Sequence, residues 1–241
     1  MNETTKQAAL LAALEAAPRE SCGLVVEASE GERYWPCRNV SPIESDFTVS
    51  KFDYVAATKA GKIVGVVHSH PNGFPLPTQA DLTKCEESGL PWHIVSPHLN
   101  RWHSFAPSGF KAPLLKREWV WGIHDCWALV RDWYAEHGVI LRDFERPDDP
   151  GDFLRDPLFE SLFEEAGFRE VSRESIKPGD VALLSFKSTK LNHVGVFDED
   201  LRLLHHTQGR LSRAEIYGEG LQKSTGKVVR HLESERLRLG Q

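Results

Sequence analysis

The 241-residue chain lacks features that define several classes of protein. It has no excess of basic residues, since 29 Lys and Arg stand against 35 Asp and Glu, and this balance argues against a nucleic-acid reader with a basic face. No apolar run approaches the ~20 residues that span a bilayer. The four cysteines include no CxxC pair, which excludes a disulfide framework and a zinc knuckle. The rest of the composition is typical of a soluble globular protein of one or two domains.

The first residues show no sign of a secretory leader. Residues 1–7 lack a basic cluster, and the apolar stretch 8–14 meets Glu15 after only seven residues. We interpret this segment as an amphipathic helix and not as a signal peptide. The chain is therefore expected to be made in a cytoplasm.

The pattern of the chain changes at residues 106–113, where Pro, Ser and Gly interrupt the periodicity. Helical and strand-like segments alternate before this stretch, whereas helices followed by a run of strands come after it. We therefore predict two domains, residues 1–107 and 108–241. The first is predicted to be α/β, a mixed sheet with flanking helices, and the second α+β, with helices packed on an antiparallel sheet.

Local patterns predict the individual elements. The predicted helices cover about residues 4–17, 51–60, 79–89, 126–137 and 158–166. The predicted strands cover about 22–27, 34–36, 62–70, 92–96, 101–105, 180–186, 193–198, 202–207 and part of 227–232. The acidic, proline-rich stretch 143–157 is predicted to be a loop.

Two histidines stand two residues apart at the end of a predicted strand. Alternate strand residues point the same way, so His68 and His70 offer a pair of ligands for one Zn²⁺. Asp81 lies in the first turn of the next helix, where it can return as a third ligand. Each feature alone has an ordinary explanation: an incidental histidine pair, a helix cap at Thr78, and a surface carboxylate at Glu20.

Taken together, these residues resemble the JAMM (MPN+) metalloprotease family over about residues 1–105. Glu20, then His-Ser-His-Pro at 68–71, then Thr78-x-x-Asp81 follow the family's Glu, His-x-His-Pro and Ser-x-x-Asp. The resemblance implies that His68, His70 and Asp81 hold zinc and that Glu20 is the general base toward a zinc-activated water. It also implies that Thr78, in place of the family's Ser, stabilises an oxyanion. The implied reaction is hydrolysis of a peptide or isopeptide bond.

Cys126 is the most plausible nucleophile among the cysteines. It begins a predicted helix, whose dipole is expected to lower the pKa of the thiol, whereas Cys22 lies in an apolar strand and is expected in the core. A cysteine nucleophile needs a base and a group that orients the base. His193 and His205 lie on successive predicted strands, which can place their imidazoles side by side. The alternative is that His193 merely ends a strand and that His205 and His206 point to opposite sides.

The second half resembles the NlpC-type cysteine peptidases of bacterial cell-wall metabolism over about residues 112–235. Asp125-Cys126, Lys-Pro-Gly-Asp at 177–180, His193-Val-Gly-Val and a histidine at 205 follow the family's pattern. The resemblance implies a papain-like fold in which Cys126 attacks, His193 is the base and His205 orients it. The implied substrate is the stem peptide of peptidoglycan.

One position departs from that pattern. The family often has a tyrosine a dozen residues before the cysteine, where this chain has Leu114. We therefore expect Trp119 or Trp121 to line the site instead.

A JAMM-like module followed by an NlpC-like module resembles the tail-tip proteins of long-tailed bacteriophages, as do residues 205–213. This likeness implies synthesis in the host cytoplasm, a place at the virion tail tip and action at the cell wall or periplasm. The implied partners are peptidoglycan stem peptides and other phage tail-tip proteins, without nucleic-acid readout or a transmembrane segment. Two alternatives are a host cell-wall endopeptidase with no virion role and a structural tail-assembly protein with inactive peptidase folds.

Overall fold

The computed structural model describes residues 1–147, 150–155 and 159–239. The chain divides into two compact units, residues 1–111 and 112–241. Within the described ranges, none of the helices is both long enough and apolar enough to cross a membrane.

The first unit is a mixed sheet with helices. Its elements are α1 (Glu3–Ala16), β1 (Cys22–Ala28), β2 (Gly31–Cys37), α2 (Lys51–Ala60), β3 (Lys62–Ser69), α3 (Gln79–Ser88), β4 (Trp92–Ser96) and β5 (Arg101–Phe105). The strand order is β2-β1-β3-β4-β5, with β3 and β4 parallel and the other neighbours antiparallel. This arrangement confirms the predicted mixed sheet with flanking helices.

The parallel pair decides where the first site lies. A parallel connection needs a crossover, and α3 supplies it between β3 and β4. The crossover begins at the carboxyl end of β3, so the loop after that strand and the start of α3 lie together at this end of the strand. Both faces of the sheet are covered, since Val26 packs in one apolar cluster and Val25, which points the other way, packs in another.

The second unit carries one antiparallel sheet. Its elements are α4 (Cys126–Glu136), α5 (Pro150–Arg155), α6 (Phe159–Leu162), β6 (Phe168–Val171), a 3₁₀ turn (Arg173–Ser175), β7 (Val181–Leu184), β8 (His193–Phe197), β9 (Arg202–His205), β10 (Arg213–Ile216), α7 (Glu219–Ser224), β11 (Thr225–His231) and a second 3₁₀ turn (Ser234–Arg236). The strand order is β10-β9-β8-β7-β11-β6, with each described pair antiparallel. Helix α4 packs Leu129, Val130 and Trp133 against Val194 and Val196 of β8. The predicted antiparallel sheet with packed helices is therefore confirmed.

Some predictions of local structure are wrong. The predicted loop 143–157 contains α5, whose first residue is Pro150, a residue that the first turn of a helix accepts. The helix predicted over 158–166 ends at Leu162. Residues 148, 149 and 156–158 of these two stretches lie outside the described residues. The strands β6 and β10 and helix α7 were not predicted, because four-residue strands such as Arg-Ala-Glu-Ile depend on pairing with a neighbour more than on their own pattern.

Candidate active sites

His68, His70 and Asp81 converge at the carboxyl end of β3. The Nε2 atoms of the two histidines are 3.2 Å apart, His68 Nε2 is 3.2 Å from Asp81 Oδ1, and His70 Nε2 is 3.6 Å from Asp81 Oδ2. Ligand atoms around a tetrahedral zinc with bonds of ~2.0–2.1 Å lie about 3.3 Å from one another. The spacing of the three side chains therefore fits one zinc ion.

Neighbouring groups fix the orientation of these ligand atoms. Asp81 Oδ2 accepts hydrogen bonds of 2.8 Å from the backbone N–H and from the hydroxyl of Thr78, and the Thr78 hydroxyl accepts from Asp81 N in turn. This capping box starts α3 and leaves Oδ1 facing His68. His70 Nδ1 donates to the carbonyl oxygen of Phe74 over 3.1 Å, which leaves its Nε2 lone pair for a metal. The hydroxyl that the resemblance assigns to the oxyanion is engaged by Asp81 in this geometry.

Two of the three side chains, His68 and Asp81, have the charge that a metal ligand needs, whereas the carboxylates of Asp81 and Glu20 outweigh burial and raise the pKa of His70. His68 is buried against Phe47, with ring centroids 4.6 Å apart, and burial lowers its pKa although Asp81 partly offsets this. Burial would raise the pKa of Asp81, but the contacts with His68 and His70 outweigh it and hold that pKa well below its usual range. A neutral imidazole and an ionised carboxylate are ready to bind a cation.

Glu20 lies two residues before the start of β1 and close to this cluster. Burial raises the pKa of Glu20 to about 7, the carboxylates of Asp81 and Asp46 add to the effect, and His70 opposes it. The next residue, Ser21, donates its backbone N–H to Ser69 Oγ over 2.8 Å, which ties this segment to β3. A carboxyl group with a pKa near neutrality is suited to accept and return a proton.

Cys126 is the first residue of α4 in the second unit. Asp125 caps the helix, since its Oδ1 accepts from Ala128 N over 2.8 Å, and Arg146 Nε donates to its Oδ2 over 2.8 Å. The backbone N–H groups of Val194 and Trp127 lie close to Cys126 Sγ. Backbone N–H groups from the start of α4 and from the start of β8 therefore both contribute to the position of the sulfur.

The prediction that the helix dipole lowers the pKa of this thiol is wrong. Burial raises the pKa of Cys126 to about 12, the Asp125 carboxylate adds to the effect, and the Val194 N–H and Arg146 only partly oppose it. The thiol is therefore protonated at neutral pH, and a base must take its proton when it reacts.

The structure brings His193 and His205 together. His193 Nε2 lies 3.1 Å from His205 Nδ1, because β8 and β9 are adjacent antiparallel strands. Burial, together with His205 and His206, holds the pKa of His193 well below its usual value, so this imidazole is neutral. Cys126, His193 and His205 line a groove of about 930 Å³, which we call the Cys126 groove.

His206 directly follows the last residue of β9 and is fully buried. It lines the Cys126 groove with Trp119 and Trp121, the two residues expected to border the site.

Glu215 was not predicted as a site residue, although it contacts His205. Its Oε1 lies 3.1 Å from His205 Nε2, and Arg213 Nε donates to the same oxygen. Both residues are on β10, the short strand that the sequence pattern did not reveal. The available signal was the spacing of two between opposite charges, which puts them on one face of a strand.

Comparisons with known proteins cover both units. Residues 116–230 match the NlpC/P60 family, and residues 3–107 match the prokaryotic homologs of the JAB domain. Tail tip assembly protein K of Escherichia phage N15 is 38% identical over 235 residues, 96% of this chain and 96% of that protein. Tail tip assembly protein K of Escherichia phage lambda is 34% identical over 183 residues, 76% of this chain and 89% of that protein.

Among solved structures, a protein from Desulfitobacterium hafniense is 23% identical. It matches 43% of this chain and 78% of its own length, with a TM-score of 0.36.

Proposed function

Because the chain belongs to the family of phage tail tip assembly protein K, we propose that it is a tail-tip peptidase of a phage virion. On this proposal residues 108–241 form a cysteine endopeptidase that cuts the stem peptides of peptidoglycan, and residues 1–107 form a zinc peptidase. The observation that carries the proposal is the 3.1 Å contact of His193 with His205 in the groove that Cys126 lines.

The neutral state of His193 supports its role as the base. Since Cys126 is protonated and His193 is not, His193 takes the thiol proton as the sulfur attacks the carbonyl carbon of the peptide bond. The oxygen of the tetrahedral intermediate then faces backbone N–H groups at the start of α4.

The second half of the cycle uses the same residues. The C–N bond breaks as His193 returns the proton to the leaving amine, and an acyl thioester remains on Cys126. His193 next takes a proton from water, the water oxygen attacks the thioester carbon, and the proton passes to the departing sulfur. His205 keeps the His193 ring in place throughout.

In the first unit, His68, His70 and Asp81 are the residues that would hold zinc. When bound, zinc supplies a Lewis acid that polarises water and the carbonyl group of a substrate. Glu20 accepts a proton from water and delivers it to the leaving amine. Thr78 orients Asp81 through the capping box, and a contact of its hydroxyl with an oxyanion requires that it leave Asp81.

The proposed setting follows from the family. The chain is made in the host cytoplasm, joins other tail-tip proteins and meets peptidoglycan when the tail reaches the cell wall. The cut it makes in the wall opens a path for the tail tube or the DNA. The first unit processes a tail partner or cuts a second bond.

The test is mass spectrometry of purified sacculi digested by the intact protein. Cys126→Ala and chelator-treated wild-type protein are digested in parallel. We expect stem-peptide fragments that disappear with Cys126→Ala and persist after chelation. Fragments that survive Cys126→Ala and vanish on chelation would move the wall chemistry to the first unit, and no fragments from folded wild-type protein would favour a structural role.

A further inference from the structure

We propose that Glu215 is a positioning residue of the Cys126 groove, which sets the tautomers of His205 and His193 through one chain of hydrogen bonds. This inference rests on the proposed cysteine peptidase function. It extends the site to strand β10, at the edge of the sheet.

The hydrogen-bonded groups of this series belong to three neighbouring strands, β10, β9 and β8. Arg213 Nε donates to Glu215 Oε1, the same oxygen is 3.1 Å from His205 Nε2, and His205 Nδ1 is 3.1 Å from His193 Nε2. The pairing of β10 with β9 sets Arg213 opposite His205. Since alternate strand residues share a face, Glu215 also lies on the face that carries His205.

The charge of Glu215 fixes which atom donates and which accepts in each hydrogen bond of the series. Burial would raise the pKa of Glu215, but its contacts with His205 and Arg213 outweigh this effect and keep the carboxyl ionised. An ionised carboxylate only accepts hydrogen bonds, so neutral His205 must carry its proton on Nε2. The Nδ1 atom of His205 is then an acceptor.

The tautomer of His205 in turn fixes the tautomer of His193. Because His205 Nδ1 accepts, neutral His193 must carry its proton on Nε2 and donate it to that atom. The Nδ1 atom of His193 then holds the free lone pair, which is the form that can take a proton from Cys126. Without Glu215, His205 is free to adopt the opposite tautomer, which turns its Nδ1 into a donor and works against this arrangement.

The same carboxylate acts when His193 becomes an imidazolium. Among the described residues, Glu215 is the negative group beside His205, Arg213 adds a positive charge beside the same ring, and the neutral ring of His206 lies near His193. The hydrogen bond through His205 therefore links the transient positive charge on His193 to a negative charge.

The first test reads the tautomers directly. Long-range ¹H–¹⁵N correlation spectra of the intact protein labelled with ¹⁵N-histidine, recorded at pH 8, distinguish Nδ1–H from Nε2–H rings. The variants His193→Gln and His205→Gln assign the two signals. We expect Nε2–H at both positions in the wild type and a gain of the Nδ1–H form at His205 in Glu215→Ala.

The matched control is Glu219→Ala, at the exposed start of α7, where the carboxylate contacts Lys223. It should leave both signals unchanged. An Nδ1–H ring at His205 in the wild type, or an unchanged His205 in Glu215→Ala, would overturn the proposal.

The second test separates charge from shape. Glu215→Gln keeps an oxygen acceptor for His205 but removes the negative charge, so it should preserve the tautomer, lower the pKa of His205 in an NMR titration and lower kcat about tenfold at unchanged KM. Glu215→Ala should lower kcat further. A merely structural role predicts that Gln restores the wild-type pKa and kcat.

The two proposals fail in different ways. If wild-type protein releases no stem peptides, the proposed function fails, yet the tautomers still decide the role of Glu215. If Cys126-dependent hydrolysis is present and Glu215→Ala changes neither the tautomer nor kcat, only the role of Glu215 fails.

Discussion

Each unit brings a pair of histidines and a carboxylate together, but the two sets are joined differently. In the first unit, Nε2 of His68 and Nε2 of His70 face each other at 3.2 Å, and Asp81 closes the triangle. In the second, His193 offers Nε2 to Nδ1 of His205, and the far side of His205 meets Glu215.

The difference separates a cation site from a proton-transfer site. Two Nε2 atoms and a carboxylate oxygen that point at one place bring three lone pairs together, which favours a positive ion. When Nε2 of one ring donates to Nδ1 of the next, each ring has a fixed tautomer. One nitrogen of the first ring then stays free to take a proton from a thiol. The position of the strands produces the contrast, since His68 lies on β3 and His70 directly after its last residue, whereas the second pair comes from neighbouring strands.

The sharpest way to break this comparison is to remove one histidine of the convergent set. His68→Ala should reduce bound zinc from about one equivalent to near zero, because two remaining ligands hold zinc at least ~100-fold more weakly. Metal analysis of dialysed protein measures the change. His193→Ala is the matched control and should keep a full equivalent; a full equivalent in His68→Ala would contradict the ligand assignment.

The next test concerns which neighbour orients His193. His205→Ala should lower the kcat of stem-peptide hydrolysis by roughly 100-fold and cost more than His206→Ala, because only His205 contacts His193 Nε2 among the described residues. Steady-state kinetics on a defined stem peptide, with circular dichroism as a check of folding, measures both. The reverse order would assign the orienting role to His206.

Acid should weaken the second unit through His206. Burial beside the Arg117 cation lowers the pKa of His206 to about 4, whereas the unfolded chain has a value near ~6.5. Below ~6.5 the unfolded state therefore binds more protons, so stability is complete above that pH and falls as the pH drops toward 4. Urea unfolding should show a loss of about 1–2 kcal/mol between pH 7.5 and 5.0 from this residue.

The variant His206→Asn isolates this contribution. It should show a smaller loss between the two pH values, whatever its stability at pH 7.5. An equal loss in the variant and the wild type would assign the acid sensitivity to other groups.

The smallest effect is expected at the cap that orients Asp81. Thr78→Val removes the hydroxyl that Asp81 N and Asp81 Oδ2 contact, and should cost about 1 kcal/mol of stability and weaken zinc binding about tenfold. Thermal unfolding and a zinc titration against a chelating dye measure the two losses. Thr78→Ser should keep both properties, and a loss as large as in the valine variant would point to the methyl group instead of the hydroxyl.

The sequence predicted long elements and local motifs well. The buried strand that carries His68 and the cap at Thr78 lie where their patterns indicate, because alternation and capping depend on neighbours in the chain. The sequence predicted short strands poorly, because they form by pairing with a neighbouring strand more than by their own pattern. Strand β10 is such a segment, and for this reason Glu215 was missed.

The pKa of Cys126 illustrates a second limit. A position at the start of a helix is visible in the sequence, and it suggested a reactive thiolate. Burial of the sulfur and the nearby Asp125 carboxylate are properties of the packed unit, and they reverse the direction of the shift.

By itself, the sequence determined the residue types, the order of the two modules and the spacing that aims His68 and His70 at one point, because strand alternation acts over two residues. The tertiary structure decided which distant groups meet: His193 with His205 across two strands, His205 with Glu215 across a third, and Glu20 with the cluster at β3. It also decided the charge each group carries, since desolvation depends on what covers a side chain and not on its neighbours in the chain.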